Sequence, residues 1–150
     1  ERYDYIIVDT PPALNLLTVN AYVASDSLII PMAPEVPSLL GVSQIKETIE
    51  SVREYFNPHL KVLGILLNRY NPRLNLNREV LELAGQIARQ LDTVVFETKI
   101  RTSVSVAEAP AHGQSVVDYA PSAKPAQDFE QLCDQIADAR FPRREKKGGR

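Results

Sequence analysis

The chain has 150 residues, 44% of them hydrophobic and 24% charged, with a formal charge of -2; this supplies a core for one globular domain and excludes a wholly disordered chain. No run nears the roughly 18 apolar residues of a membrane span, and the charged start Glu1 to Asp4 is unlike a signal peptide, so a soluble, intracellular protein is expected. The single cysteine, Cys133, excludes an internal disulfide framework, and two histidines cannot form a spaced zinc cluster.

From the N-terminus, Tyr5-Ile6-Ile7-Val8 is a nearly continuous apolar, β-branched run closed by Asp9 and Pro11-Pro12, the pattern of a strand buried on both faces. Ser27 to Ile30 predicts a second strand, ending at Pro31. Leu39, Val42, Ile45, Ile49, Val52 and Phe56 then recur at spacings of three and four, one face of a helix with Ser38 available as N-cap. Lys61 to Leu67 predicts a third strand, ending at Asn68, and Thr93 to Phe96 a short fourth. Between them Leu76, Val80, Leu83, Ala84, Ile87 and Leu91 mark a second helix. After Pro125, the residues Phe129, Leu132, Cys133 and Ile136 mark a third. Alternating buried strands and amphipathic helices predict a three-layer α/β domain with a mostly parallel sheet. The end of the chain is different: six basic residues from Arg140 to Arg150 against Glu145 give it +5, leaving -7 on the rest. Residues 140–150 are therefore expected to form a solvated basic tail, with polyanion binding as the alternative, and residues 1–139 to form the folded unit.

In an open parallel sheet, ligands bind at the carboxyl ends of the strands, which directs attention to Asp9, Pro31, Asn68 and Ile100-Arg101. A carboxylate directly after a buried strand suits magnesium held partly through water, or equally a turn cap. Asn68 carries the donor and acceptor needed to read the N6/N7 edge of adenine, or it simply forms a turn. None of Gly41, Gly64, Gly85, Gly113, Gly148 or Gly149 completes a phosphate-binding loop, and there is no G-x-S-x-G elbow. His112 has no evident acidic or nucleophilic partner and is expected to be a surface loop residue.

Taken together, Tyr3 to Pro12 (YDYIIVDTPP), Leu17 to Ala21, Ala24 to Ser27, Leu66 to Arg73 and Val106 to Gly113 (VAEAPAHG) resemble, in order, the Walker B region, the loop after a later strand and the EAP-x-x-G block of ParA-type partition ATPases. The resemblance covers roughly Tyr3 to Ile136. It implies a P-loop NTPase-like fold of the deviant Walker A class that binds ATP with Mg, dimerises on ATP and binds DNA without sequence specificity. It also implies plasmid or chromosome segregation, stimulation by a ParB-type centromere-binding partner, and a cytoplasmic, nucleoid-associated location. By position, Asp9 would be the Walker B carboxylate near magnesium, with Thr10 and Pro11 opening the switch that senses the γ-phosphate. Asn68, Ile100 and Arg101 would line the adenine pocket.

Two departures from the family pattern stand out. The family's phosphate loop lies upstream of the Walker B strand. The chain opens at Glu1 with Met32 as its only methionine, so a longer polypeptide carrying the missing strands is expected. Without that loop nothing here neutralises the β- and γ-phosphates, and this chain alone would be inactive. Where the family often has Ile-Pro-Arg-Asn-Val-Arg, the chain reads Ile100-Arg101-Thr102-Ser103-Val104-Ser105. Two arginines are lost as phosphate contacts, leaving Arg73, Lys99, Arg101 and Lys124 to supply positive charge from shifted positions, or merely solubility. The alternatives to partitioning are a non-catalytic interaction module that has lost nucleotide binding and a MinD-like positioning ATPase. The second is disfavoured because Phe141 to Arg150 lacks an apolar face for a membrane.

Overall fold

The computed structural model describes residues 3–11, 13–33, 38–72 and 77–140. Its elements in chain order are α1 (Leu16–Ala24), β1 (Ser27–Met32), α2 (Ser38–Tyr55), β2 (Lys61–Leu67), α3 (Asn77–Gln90), α4 (Val104–Glu108), a 3-10 turn (Ala109–His112), α5 (Val116–Tyr119) and α6 (Lys124–Arg140). β1 and β2 pair in parallel. Residues 93–101 run along the other edge of β2 through isolated parallel bridges, Ile65 to Val95 and Tyr70 to Arg101. The expected fourth strand is thus a broken one. Its backbone bonds, Ile65 N–H to Val94 O, Phe96 N–H to Ile65 O and Ile100 N–H to Leu67 O, are each 2.9 Å.

Helices cover both faces of this small sheet. On one side Ile30, Met32, Val62, Ile65 and Leu67 pack with Ile49 and Val52 of α2 and with Val80, Ala84, Ile87 and Ala88 of α3. On the other, Leu66, Phe96 and Ile100 meet Leu132, with Phe129 and Ile136 of α6 packed alongside. The phase of β2 is set by a bulge. Leu28 pairs with Val62 and the next residue, Ile29, with Gly64, so Leu63 is the extra residue, and Val62, Ile65 and Leu67 all reach the same core. Gly64 then faces the α6 side, where Phe96 lies so close that an added Cβ would stand 2.7 Å from its ring.

Four expectations are corrected. Tyr5 to Val8 belong to no ladder among the described residues: Ile6 is 87% and Ile7 93% exposed, because a strand buried on both faces requires neighbours on both edges and a layer on each side. β1 does not end at Pro31 but continues through it to Met32; a residue with no N–H is tolerated on an edge strand, and among the described residues β1 pairs with β2 alone. Phe56 lies beyond the end of α2 and is exposed rather than on its buried face. Cys133 is exposed on α6, turned away from the stripe that buries Leu132.

Ser38, expected as an N-cap, is the first residue of α2, and its side chain lies outside the described residues, as do those of Leu39, Val42 and Leu76. α6 runs to Arg140; residues 141–150 of the basic tail lie outside the described residues. No helix among the described residues is long and apolar enough to cross a membrane.

Candidate nucleotide site

The carboxyl ends of β1, β2 and the broken third strand converge on one edge. Asn68 leaves β2 with its N–H on Met32 O at 2.9 Å, and its side-chain Oδ1 accepts the Arg69 N–H at 2.8 Å. That turn sets Arg69 at φ 57, a left-handed conformation uncommon outside glycine, asparagine and aspartate. The chain then rejoins its neighbour: Tyr70 N–H donates to Ile100 O at 2.9 Å and Thr102 N–H to Tyr70 O at 3.0 Å. Asn68 and Ile100-Arg101, named separately from sequence, are therefore brought onto adjacent, hydrogen-bonded stretches of backbone. Asn68 is exposed and Ile100 is buried.

Arg101 is committed to a partner. Its Nε donates to Asp128 Oδ2 at 2.8 Å and its Nη2 to Oδ1 at 2.5 Å, while its backbone N–H reaches Oδ2 at 3.0 Å. Nη2 also donates to Lys124 O at 3.1 Å. The Asp128 side chain is only 6% exposed and that of Arg101 32%. The Asp128 hydrogen bond, opposed by desolvation and assisted by the carboxylate's charge, raises the Arg101 guanidinium above its already high value.

Asp128 was missed from sequence. The available signal was a carboxylate four residues before Leu132, on the apolar stripe of α6, where a charge needs a buried partner.

The other expected residues are more dispersed. Asp9 and Pro11 are exposed and Thr10 is half-buried, all in the irregular segment before α1. Among the described residues no hydrogen bond or ion pair links Asp9 to Asn68 or Arg101. No group of three or more metal-ligating side chains occurs among them either. A lone exposed carboxylate still fits magnesium, which commonly takes one or two carboxylates and completes its shell with water and substrate phosphates.

Lys99 is half-buried, with Nζ donating to Glu97 O at 3.0 Å and lying 5.8 Å from the centre of the Tyr70 ring. Lys124 is exposed at the start of α6, and Arg73 lies outside the described residues. The EAP block, Val106 to Gly113, folds into the end of α4 and the 3-10 turn, which Gly113 closes at φ 66. His112 is exposed and stacks on Tyr119 at 5.0 Å. Tyr119 donates to Glu108 at 3.3 Å, and the charge of Glu108 raises the Tyr119 phenol.

Residues 1–62 match a family model described as an AAA domain. Over 137 residues the chain is 37% identical to the sporulation initiation inhibitor protein Soj of Bacillus subtilis, covering 91% of this chain and 53% of that protein. It is 38% identical to the chromosome partitioning protein ParA of Myxococcus xanthus, covering 90% and 47%. Over about nine-tenths of its length the chain is thus similar to the Soj and ParA proteins. It spans about half the length of the curated relatives it matches.

Among solved structures, cobyrinic acid a,c-diamide synthase from Mycobacterium smegmatis with bound ATP analog and magnesium superposes at a TM-score of 0.70 and 26% identity, over 90% of this chain and 48% of that one. The septum site-determining protein MinD from Pyrococcus horikoshii, complexed with Mg-ADP, superposes at 0.71 and 23% identity, over 96% and 54%. The fold is that of the P-loop NTPases expected from the sequence. In this chain the Asn68 and Arg101 stretches occupy the carboxyl edge of a parallel sheet, where such folds place ligands.

Proposed function

We propose that the chain supplies the base-binding edge and the magnesium-side switch of a Soj/ParA-type ATPase that partitions DNA. The observation that carries this reading is the hydrogen-bonded pairing of the Asn68 turn with Ile100-Arg101 at the carboxyl edge of the sheet, in a chain similar to Soj and ParA. Asn68 reads the base edge, Asp9 holds magnesium through water, and Thr10 and Pro11 form the start of the segment that responds to the terminal phosphate. Bound Mg-ATP supplies the phosphoanhydride to be cleaved; a phosphate-binding loop, which the sequence lacks, must be provided for that cleavage.

In the same reading the intact protein dimerises on ATP, binds DNA without sequence preference through residues such as Arg73, Lys99 and Lys124, Arg101 being neutralised by Asp128, and releases it under stimulation by a ParB-type partner. Its location is the cytoplasm and nucleoid. Residues 1–139 form its catalytic-domain portion and the basic residues after them a tail.

A second reading, a nucleotide-free interaction module, is favoured by the exposure of Tyr3, Ile6, Ile7, Leu16 and Leu17 in the N-terminal stretch of the chain. The two differ in thermal stability. With Mg-ATP one hundredfold above its dissociation constant, a binder gains about 2.7 kcal/mol, and the full-length gene product then melts several degrees higher. An unchanged midpoint at millimolar Mg-ATP overturns the ATPase reading and leaves the module.

A further inference from the structure

Asp128 is one member of a polar strip on α6. Gln131, Asp134 and Gln135 lie three, six and seven residues further along the helix, the spacing that keeps side chains on one face. Asp128 is buried and holds the Arg101 guanidinium. One to two turns on, the strip repeats the acceptors but lacks the cation.

The opposite wall comes from the break in the third strand. Phe96 N–H bonds to Ile65 O, and the next ladder bond runs from Ile100 N–H to Leu67 O. Four residues on one side answer two on the other, so the 97–99 stretch carries two extra residues and leaves the ladder. Glu97, Thr98, Gln131, Asp134 and Gln135 together line an open cleft of about 440 Å³.

Thr98 is only 7% exposed, and its N–H reaches Gln135 Oε1 at 3.5 Å. Its hydroxyl makes no hydrogen bond among the described residues. No fully enclosed side-chain polar atom among them lacks a partner, so the hydroxyl is the part of Thr98 that opens to the cleft. Glu97 and Asp134 are exposed and make no ion pair among the described residues; Lys99 turns its ammonium to the Glu97 backbone carbonyl, not to the carboxylate.

We propose that this cleft binds a guanidinium or alkylammonium group, with a carboxylate on each wall and the Thr98 hydroxyl as a buried acceptor. The proposal does not rest on the nucleotide reading. Ionised carboxylates only accept hydrogen bonds, and the Gln131 and Gln135 amides and the hydroxyl each offer an oxygen, so the complementary ligand is positive and rich in N–H donors. Two sources carry such a group. One is the chain's own Arg143, Arg144, Lys146 and Lys147, which follow α6; Arg140 lies about 9 Å along the helix from Asp134, within reach of roughly four extended residues. The other is a free polyamine.

The test titrates the isotope-labelled full-length gene product with agmatine, which has a guanidinium and an ammonium group, at constant ionic strength. It follows the NMR signals of the Glu97 and Thr98 backbone amides and the Gln131 and Gln135 side-chain amides, where saturable shifts are expected. Asp134→Asn should weaken binding about tenfold, the worth of one charged hydrogen bond. Glu130→Gln, on an exposed part of the same helix outside the cleft, should not. Thr98→Val should weaken binding about fivefold yet melt no lower than the parent, since the hydroxyl has no partner within the protein.

A second form, ending at Arg140, separates the sources. Tighter agmatine binding by about tenfold in this form shows the chain's own basic residues competing for the cleft, whereas equal affinity makes the ligand a separate molecule; either result upholds the site. No saturable shift in either form overturns the proposal, as do equal shifts from magnesium chloride at matched ionic strength or undiminished binding by Asp134→Asn. A Thr98→Val protein that binds agmatine unchanged but melts lower makes Thr98 structural and overturns its part in the site.

Discussion

Replacing Gly64 with alanine tests how the broken third strand is held against β2. The added Cβ would meet Phe96 Cε2 at 2.7 Å, Cδ2 at 2.9 Å and Cζ at 3.1 Å, whereas carbon atoms rest comfortably about 3.5–4.0 Å apart. The ring must therefore retreat by roughly 0.8 Å. Phe96 is enclosed by Leu66, Ile100 and Leu132, and its N–H is fixed on Ile65 O, so it has little room to do so.

Overpacking of this kind costs about 1–3 kcal/mol; alanine recovers about 0.5–1 kcal/mol through the lower chain entropy of a non-glycine residue. The net expectation is a loss of about 1–2 kcal/mol, measured by urea unfolding with an unchanged slope. In Phe96→Leu, which removes the ring, the same substitution should cost about 1 kcal/mol less, a coupling that a double-mutant cycle resolves. A Gly64→Ala protein as stable as the parent, or effects that simply add, would refute the close approach.

Other consequences are as direct. The Asn57 side chain donates to Tyr22 O at 3.3 Å, Val23 O at 3.1 Å and Ser25 O at 2.8 Å, tying the end of α1 to the turn after α2. Asn57→Ala should cost about 1–2 kcal/mol, with faster amide exchange concentrated at the end of α1. Burial raises the Tyr22 phenol above its usual 10.0, so the unfolded chain loses this proton first as the solution becomes alkaline. The stabilisation is intact below pH 10 and declines as pH climbs through the folded value; Tyr22→Phe should flatten that alkaline decline in thermal melts. For DNA, Lys124→Ala should lower the slope of log affinity against log salt by about 0.9, whereas Arg101→Ala should leave it unaltered because Asp128 already neutralises that charge. A fall in slope with Arg101→Ala would return that residue to the phosphate-contacting set.

The comparison of sequence with structure turns on what each element needs from its neighbours. The spacing of Val80, Ala84, Ile87 and Leu91 carried enough information to place α3 and its buried face, since a helix makes its backbone bonds within itself. The run Lys61 to Leu67 likewise became a strand between two layers of helix. Tyr5 to Val8 has the same composition but stands exposed. A strand's hydrogen bonds must come from other segments, and no ladder reaches it among the described residues.

The candidate site divides in the same way. Asn68 and the Ile100-Arg101 stretch could be singled out from sequence because they lie at strand ends, and the structure sets them on hydrogen-bonded backbone, whereas Asp9 stands in the irregular segment before α1. Asp128 could not, since it lies 27 residues beyond Arg101 and only the packing of α6 shows which charge that helix buries.

The sequence by itself determined the α/β alternation, the resemblance to ParA-type proteins and the strand ends at which chemistry is to be sought, because periodicity and local motifs are written in consecutive residues. Only the tertiary structure decided the bulge at Leu63, the packing of Phe96 on Gly64 and the pairing of Arg101 with Asp128. Each depends on the distance and orientation of groups far apart in the chain, which no local pattern encodes.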